Sequence, residues 1–323
     1  MARLIGADNN EDIPLLTNRK YYNKAITYGY GKKVATFSPD DISGLHLWYK
    51  SNSLSLSHGD TVSSWSDSSG NGINATQGTT SLQPTFQSTS NTVNGYPTLF
   101  FDGVDDYLIG DISGNTLSNR SCTVFAAYIP HATTSQTSGY LFTSTASGSS
   151  FGNRTFYISG KHSAVSSVNM NIGPGITAAV GNGSFANTAN TNLLFTPNPA
   201  YDWGIVERKK DIEMSFPDFI ILGFTCLDSS VNLRDEYYTS INGLTGIAKT
   251  AYLVNYTKDM IEIRIGAAYN ITFSEFKGYL AELVVYDSSV IGDNHDKVVG
   301  YLAHKYDKTS VLHNRHPYKL GPP

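Results

Sequence analysis

Short apolar runs, broken by clusters of Gly, Ser, Asn and Asp, dominate this chain. Leu45-His46-Leu47-Trp48-Tyr49, Cys122 to Ile129, Tyr140 to Ser144, Thr155 to Ser159, Asp235 to Ile241 and Ile261 to Gly266 each have the length and β-branched or aromatic content of a strand. Phe219 to Leu227 is almost wholly apolar, as a strand covered on both faces requires. Gly278 to Tyr286 alternates, which puts Leu280, Glu282, Val284 and Tyr286 on one face and Tyr279, Ala281, Leu283 and Val285 on the other. Val62 and Trp65 cannot share a face by strict alternation, so a bulge or strand end is predicted between them. One helix is predicted, from about Asn294 to Tyr306. Asp293 is placed to cap it, Asp296 makes an acidic variant of the capping box, and Val298, Val299, Leu302 and Tyr306 form one stripe. Many short strands with a single late helix give an all-β, two-sheet antiparallel sandwich.

The breaks divide the chain. Residues 1–38 are rich in Tyr (Tyr21, Tyr22, Tyr28, Tyr30), show no sustained period, and read as a docking arm before a domain spanning 39–323. Residues 74–94 read as a polar surface loop. Residues 172–201 are Gly-, Asn-, Ala- and Thr-rich and form an excursion too long for a hairpin loop.

Composition narrows the function classes. Charged residues are only 15% of the 323, and the net charge is -4, which gives no general attraction for nucleic acid. No apolar run approaches the length of a membrane span, and the N-terminus has no apolar signal region. Cys122 and Cys226 lie far apart in strand-like runs and read as two buried thiols rather than a disulfide framework.

Pro97 to Leu108, PTLFFDGVDDYL, concentrates the candidate chemistry. A β-forming run, Thr98 to Phe101, enters a turn, Asp102-Gly103-Val104-Asp105-Asp106, and a second strand leaves through Tyr107 and Leu108. Asp102, Asp105 and Asp106, with Asp67 and Asn71 beside them, are the only dense set of oxygen ligands. They could hold calcium or cap turns, and turn capping is the preferred reading. No other cofactor is implied.

An ordered set of residues resembles a known family. Leu47-Trp48, then Val62…Trp65-Ser66-Asp67-Ser68-Ser69-Gly70-Asn71-Gly72, Pro97, Phe101-Asp102-Gly103…Asp105-Asp106-Tyr107-Leu108, and later Gly278…Ala281-Glu282…Val285-Tyr286-Asp287, Gly300 to Tyr306 and His316-Pro317-Tyr318-Lys319 resemble the laminin-G-like, concanavalin A-like jelly-roll family. The ending resembles versions found in bacteriophage and marine bacterial proteins. The resemblance covers roughly residues 38–323. It implies a jelly roll of two antiparallel sheets, buried Trp48 and Trp65, and a structural role for Glu282.

Catalysis finds little support in the pattern. A glycosidase of this fold needs facing carboxylates. Asp211 and Glu213 share a face without a third acid at the right offset, and Glu282 has no acidic neighbour at i±2. His295 and His304 fall on opposite sides of the helix, and no triad order is legible. The chain is therefore expected not to be an enzyme. For sugar binding, Trp203, Tyr140 and Tyr157 are the aromatic candidates. A fold of adhesive type without an export signal points to a bacteriophage virion protein, a capsid decoration or a fibre or tail module. Its arm would dock to other virion proteins, its jelly roll would meet host-surface polysaccharide, and it would form a homo-oligomer. The alternatives are a stand-alone carbohydrate-binding module and a divergent glycoside hydrolase.

Overall fold

The computed structural model describes residues 37–118, 121–130, 140–146, 154–160, 176–179, 193–194, 219–227, 235–245, 249–251, 259–267 and 275–323. Their strands, in chain order, begin with β1 (Leu45–Lys50), β2 (Ser64–Trp65), β3 (Ala75–Thr76), β4 (Thr85–Gln87), β5 (Thr98–Asp102) and β6 (Leu108–Asp111). There follow β7 (Leu117–Ser118), β8 (Thr123–Pro130), β9 (Tyr140–Ala146), β10 (Arg154–Gly160), β11 (Ile176–Ala179) and β12 (Leu193–Leu194). The last are β13 (Ile220–Leu227), β14 (Asp235–Ile241), β15 (Leu244–Thr245), β16 (Lys249–Ala251), β17 (Asp259–Ile265) and β18 (Lys277–Tyr286). The α-helix α1 (Gly292–Lys305) comes after them.

Two antiparallel sheets result, as the sequence pattern requires. The first runs β15-β14-β13-β8-β18-β5-β4, with β1 on β18 and β16 on β14. The second runs β12-β11-β10-β9-β17-β6-β3-β2, with β7 on β17. Between them lies one core. Val124, Ala126, Tyr128, Leu222, Phe224, Leu283 and Val285 of the first sheet meet Trp65, Ala75, Leu108, Phe142, Met260 and Ile263 of the second. A second apolar cluster lies on the other face of the first sheet. There Phe125, Ala127, Ile221, Val284 and Tyr286 pack against Val298, Val299, Leu302, Ala303 and Tyr306. β13 and β8 are thus covered on both sides, which accounts for the almost wholly apolar run of Phe219 to Leu227. Each of the larger side chains among them, Val, Leu, Ile, Met and Phe, contributes about 1.5–3 kcal/mol on burial.

Several expectations shift in detail. Residues 74–94, read as a loop, hold β3 and β4, and Phe86 is buried in the core. These strands are two or three residues long and exist only because a ladder partner holds them. Two pieces of the 172–201 excursion, β11 and β12, extend the second sheet beyond β10, and the rest of it lies outside the described residues. The register of β18 slips between Leu280 and Glu282. This bulge sends Leu280 to the inner core with Leu283 and Val285, and Ala281 to the helix side with Val284 and Tyr286. The strict alternation across Gly278 to Tyr286 is corrected accordingly. Val62 and Trp65 are both fully buried, and a strand end does separate them.

The helix starts at Gly292 with extended Ile291 as N-cap and no side-chain cap. Asp293 therefore lies in the first turn, where it pairs with Lys297 at 2.8 Å and accepts the Tyr318 hydroxyl at 2.8 Å. Its carboxylate complements the helix dipole instead of capping an amide. Among the described residues no helix is long and apolar enough to cross a membrane. Of the docking arm only Phe37 and Ser38 are described, and Phe37 meets Tyr301 edge-on at 6.4 Å between ring centres.

Candidate functional site

The acidic turn is a corner between sheets. β5 belongs to the first sheet and β6 to the second, so Asp102 to Tyr107 carries the chain across the sandwich. Gly103 has φ 76°, a value that a side chain would strain. The Asp102 Oδ1 accepts the Val104 amide at 2.7 Å and the Asp105 amide at 3.4 Å. The Asp106 Oδ2 accepts the Asp102 amide at 2.8 Å. Ligand oxygens of Asp102, Asp105 and Asp106 lie within 4.8 Å of one another, with Asp105 exposed and Asp106 buried. Burial, with Asp102 and Asp105 close by, pushes the Asp106 carboxyl up to about 7. The donor set would suit a hard cation, yet two of its oxygens are engaged by the turn's own amides. Asp67 is placed apart from them in function. It takes the amides of Trp48 (3.0 Å), Ser69 (2.9 Å) and Ile73 (3.3 Å), while the Asn71 amide group donates to the carbonyl of His46 at 2.9 Å. Both hold the 67–73 turn against β1.

Glu282 is fully buried beneath α1. Its Oε1 accepts the Trp48 indole N–H at 2.6 Å and the Tyr301 hydroxyl at 3.2 Å. Its Oε2 accepts Lys305 Nζ at 2.6 Å and the Tyr306 hydroxyl at 2.8 Å. Both tyrosine hydroxyls are pushed far above their usual range, first by burial and then by the Glu282 charge. Four donors saturate this carboxylate, which makes it a fastener of helix to sheet. Its structural reading is upheld. Ser240 Oγ and His295 Nε2 lie 2.7 Å apart, with Asp296 3.4 Å from the other ring nitrogen. The hydroxyl–imidazole–carboxylate order invites comparison with a nucleophilic triad. Ser240, however, is 1% exposed and closed over by the helix, so no substrate reaches it. His304 points elsewhere, to the Tyr318 carbonyl at 2.7 Å.

A different face gathers recognition chemistry. On β17 Glu262 and Arg264 alternate with Ile263 and Ile265, which are buried between the sheets; the Glu262 and Arg264 side chains are 27% and 16% exposed. Glu262 stands directly opposite Asp111 of β6, and Arg264 opposite Ile109. Arg264 Nε donates to Glu262 Oε1 at 2.7 Å. The Arg264 guanidinium also lies over the Tyr107 ring, 5.4 Å from its centre. Asp111 is exposed, and the Ser113 hydroxyl, with the Ser113 amide on its Oδ1 at 2.9 Å, holds its carboxyl below the usual carboxylate range. Two carboxylates directly across a ladder repel, a local cost of the kind found where function overrides stability. Chemically the face offers carboxylate acceptors, guanidinium donors and an aromatic surface, a set matched to hydroxyl-rich ligands.

The sequence did not single out Asp111, Glu262 or Arg264, and it read Tyr107 only as the residue that closes the acidic turn. The alternation Ile261-Glu262-Ile263-Arg264-Ile265 was the available signal for the second and third. Trp48 and Trp65 are buried as expected. Tyr140 is half-buried at the start of β9. Trp203, Asp211, Glu213 and the side chain of Tyr157 lie outside the described residues.

No family model and no curated sequence matches the chain. Solved structures do. Trypanosoma rangeli sialidase in complex with sialic acid matches 94% of this chain and 40% of its own, at 12% identity and a TM-score of 0.50. Domain 4 of AbnA, a GH43 extracellular arabinanase from Geobacillus stearothermophilus, in complex with arabinotriose, matches 76% of this chain and 93% of its own, at 14% identity and 0.44. The botulinum neurotoxin serotype D ligand-binding domain in complex with N-acetylneuraminic acid matches 81% and 51%, at 12% and 0.46. The chain spans less than half the length of the sialidase chains it matches. At such identities the likeness shows the fold alone. It does overturn the expectation that this chain is not an enzyme, because a sialidase chain carries the same fold.

Proposed function

We propose that this chain is a glycan-binding β-sandwich, of the laminin-G-like kind its sequence resembles, that holds a saccharide across the outer face of its second sheet. One observation carries the reading: the β6–β17 register sets Asp111 against Glu262 and brings Arg264 over Tyr107. Carboxylates and guanidinium would take sugar hydroxyls, and the Tyr107 ring would take the apolar face of a pyranose. Among the described residues the outer face of the other sheet is occupied at its centre by α1 and its apolar cluster. The sialic acid complex of the matched sialidase fits this reading without carrying it.

The test is a glycan array on the whole chain, followed by calorimetric titration of the strongest ligand. Tyr107→Ala and Arg264→Ala are each expected to weaken binding about tenfold or more, which corresponds to about 1.4 kcal/mol, with melting little changed. A blank array, or a ligand that both variants bind as the wild type does, would sink the proposal. The bacteriophage-particle setting is a separate proposal whose docking arm falls almost wholly outside the described residues. Mass spectrometry of purified particles that lack the chain would dismiss it.

A further inference from the structure

The two cysteines are 104 positions apart in sequence, yet the strand register brings their backbones together. β8 and β13 pair antiparallel, with Tyr128 opposite Ile220, Ala126 opposite Leu222, Val124 opposite Phe224 and Thr123 opposite Thr225. One further step along the same ladder sets Cys122 opposite Cys226. The backbone of Cys226 is still within β13 there, because the β14 ladder continues through Cys226 and Leu227. Cys122 lies one residue before β8 and is fully buried in the inter-sheet core. Alternation puts both positions on one face. Val124, Ala126 and Tyr128 continue from Cys122 into that core, and Ile220, Leu222 and Phe224 lead to position 226.

Directly opposed residues of an antiparallel pair have Cα atoms roughly 4.5–5.5 Å apart. A disulfide needs about 4.4–6.8 Å. Both kinds of ladder site fall inside that range. We infer that Cys122 and Cys226 form a cross-strand redox pair, which a small-molecule disulfide such as oxidised glutathione closes into an intramolecular disulfide. In the folding chain, before the core closes over Cys122, the thiolate of one cysteine attacks the glutathione S–S bond and expels one glutathione thiolate. The second cysteine, as thiolate, attacks the mixed disulfide and expels the other. Two protein thiols lose two electrons and two protons, one S–S bond forms and one breaks, and two glutathione thiols are released. The closed loop holds β8 to β13 and encloses everything between them, including β9 to β12 of the second sheet. A long closed loop is the case in which a crosslink most restricts the unfolded chain. The pair would therefore leave the sandwich looser under reducing conditions and tighter under oxidising ones.

The experiment exposes the full chain to oxidised glutathione, both folded and during refolding, then alkylates it in denaturant without reductant. The expected product is monomeric, carries no alkyl group, weighs two hydrogen masses less than the reduced chain, and yields one peptide pair joined through Cys122 and Cys226. Its melting midpoint rises above that of the reduced protein, and that rise is absent in Cys122→Ala and Cys226→Ala. Two thiols still alkylated after refolding in the glutathione buffer would overturn the pairing. So would a stable single glutathione adduct, or a disulfide-linked dimer.

Discussion

Replacing Glu282 by Gln tests whether helix α1 is fastened by one buried charge. The substitution keeps volume and one acceptor oxygen. It removes the carboxylate from four donors, Trp48 Nε1, Tyr301 and Tyr306 hydroxyls and Lys305 Nζ, all within 3.2 Å. The new amide group must face donors on one side, and Lys305, with a side chain only 10% exposed, loses its counter-charge. Hydrogen bonds to charged groups contribute about 1.5–3 kcal/mol each, but four on one group are not additive. Removing one partner of a buried ion pair costs about 3–5 kcal/mol, and that is the expected loss here. At roughly 2–4 °C per kcal/mol for a domain of this size the melting midpoint should fall by roughly 6–20 °C. Urea titration followed by near-ultraviolet circular dichroism, with Trp48 as a local fluorescence probe, measures it. Adding Lys305→Met to Glu282→Gln removes the stranded ammonium and should recover part of the loss. A Glu282→Gln chain within about 1 kcal/mol of wild type, the range of an exposed pair, would refute the reasoning.

Two pH dependences follow from buried groups, with opposite signs. Asp106, raised to about 7 from an ordinary 3.8, binds more protons folded than unfolded between those values, so its contribution to stability declines as pH rises through that window. Asp106→Asn, which keeps an acceptor for the Asp102 amide, should melt higher than wild type at pH 8, and the gap should close toward pH 4; a gap that does not vary with pH counts against the assignment. His316 is lowered by burial to about 4 from an ordinary 6.5, so it binds fewer protons folded, and stability is lost as pH falls from 6.5 toward 4. His316→Gln should flatten that acid limb, and an unchanged limb by thermal melts from pH 4 to 7 would show that other groups set it.

Local order alone fixed much of this protein. The strands at Leu45, Thr123, Ile220 and Lys277 could be placed because alternation and apolar runs are properties of neighbouring residues. The helix stripe of Val298, Val299, Leu302 and Tyr306 was legible for the same reason, as was the turn at Asp102 to Asp106, whose Gly103 and aspartates carry their conformation with them. What escaped was set by distant partners. β3 and β4 have too few residues to show a period and take their form from the strands beside them. The bulge between Leu280 and Glu282 exchanges the faces of Leu280 and Ala281 because two packed layers, not the sequence of β18, choose which side is filled. The face that joins Asp111, Glu262, Arg264 and Tyr107, and the ladder step that sets Cys122 against Cys226, both depend on register. Register is decided when the two sheets close on a common core, since a slip of one residue would turn every buried side chain outward. The sequence thus determined which segments are strands, and the tertiary structure decided which residues meet.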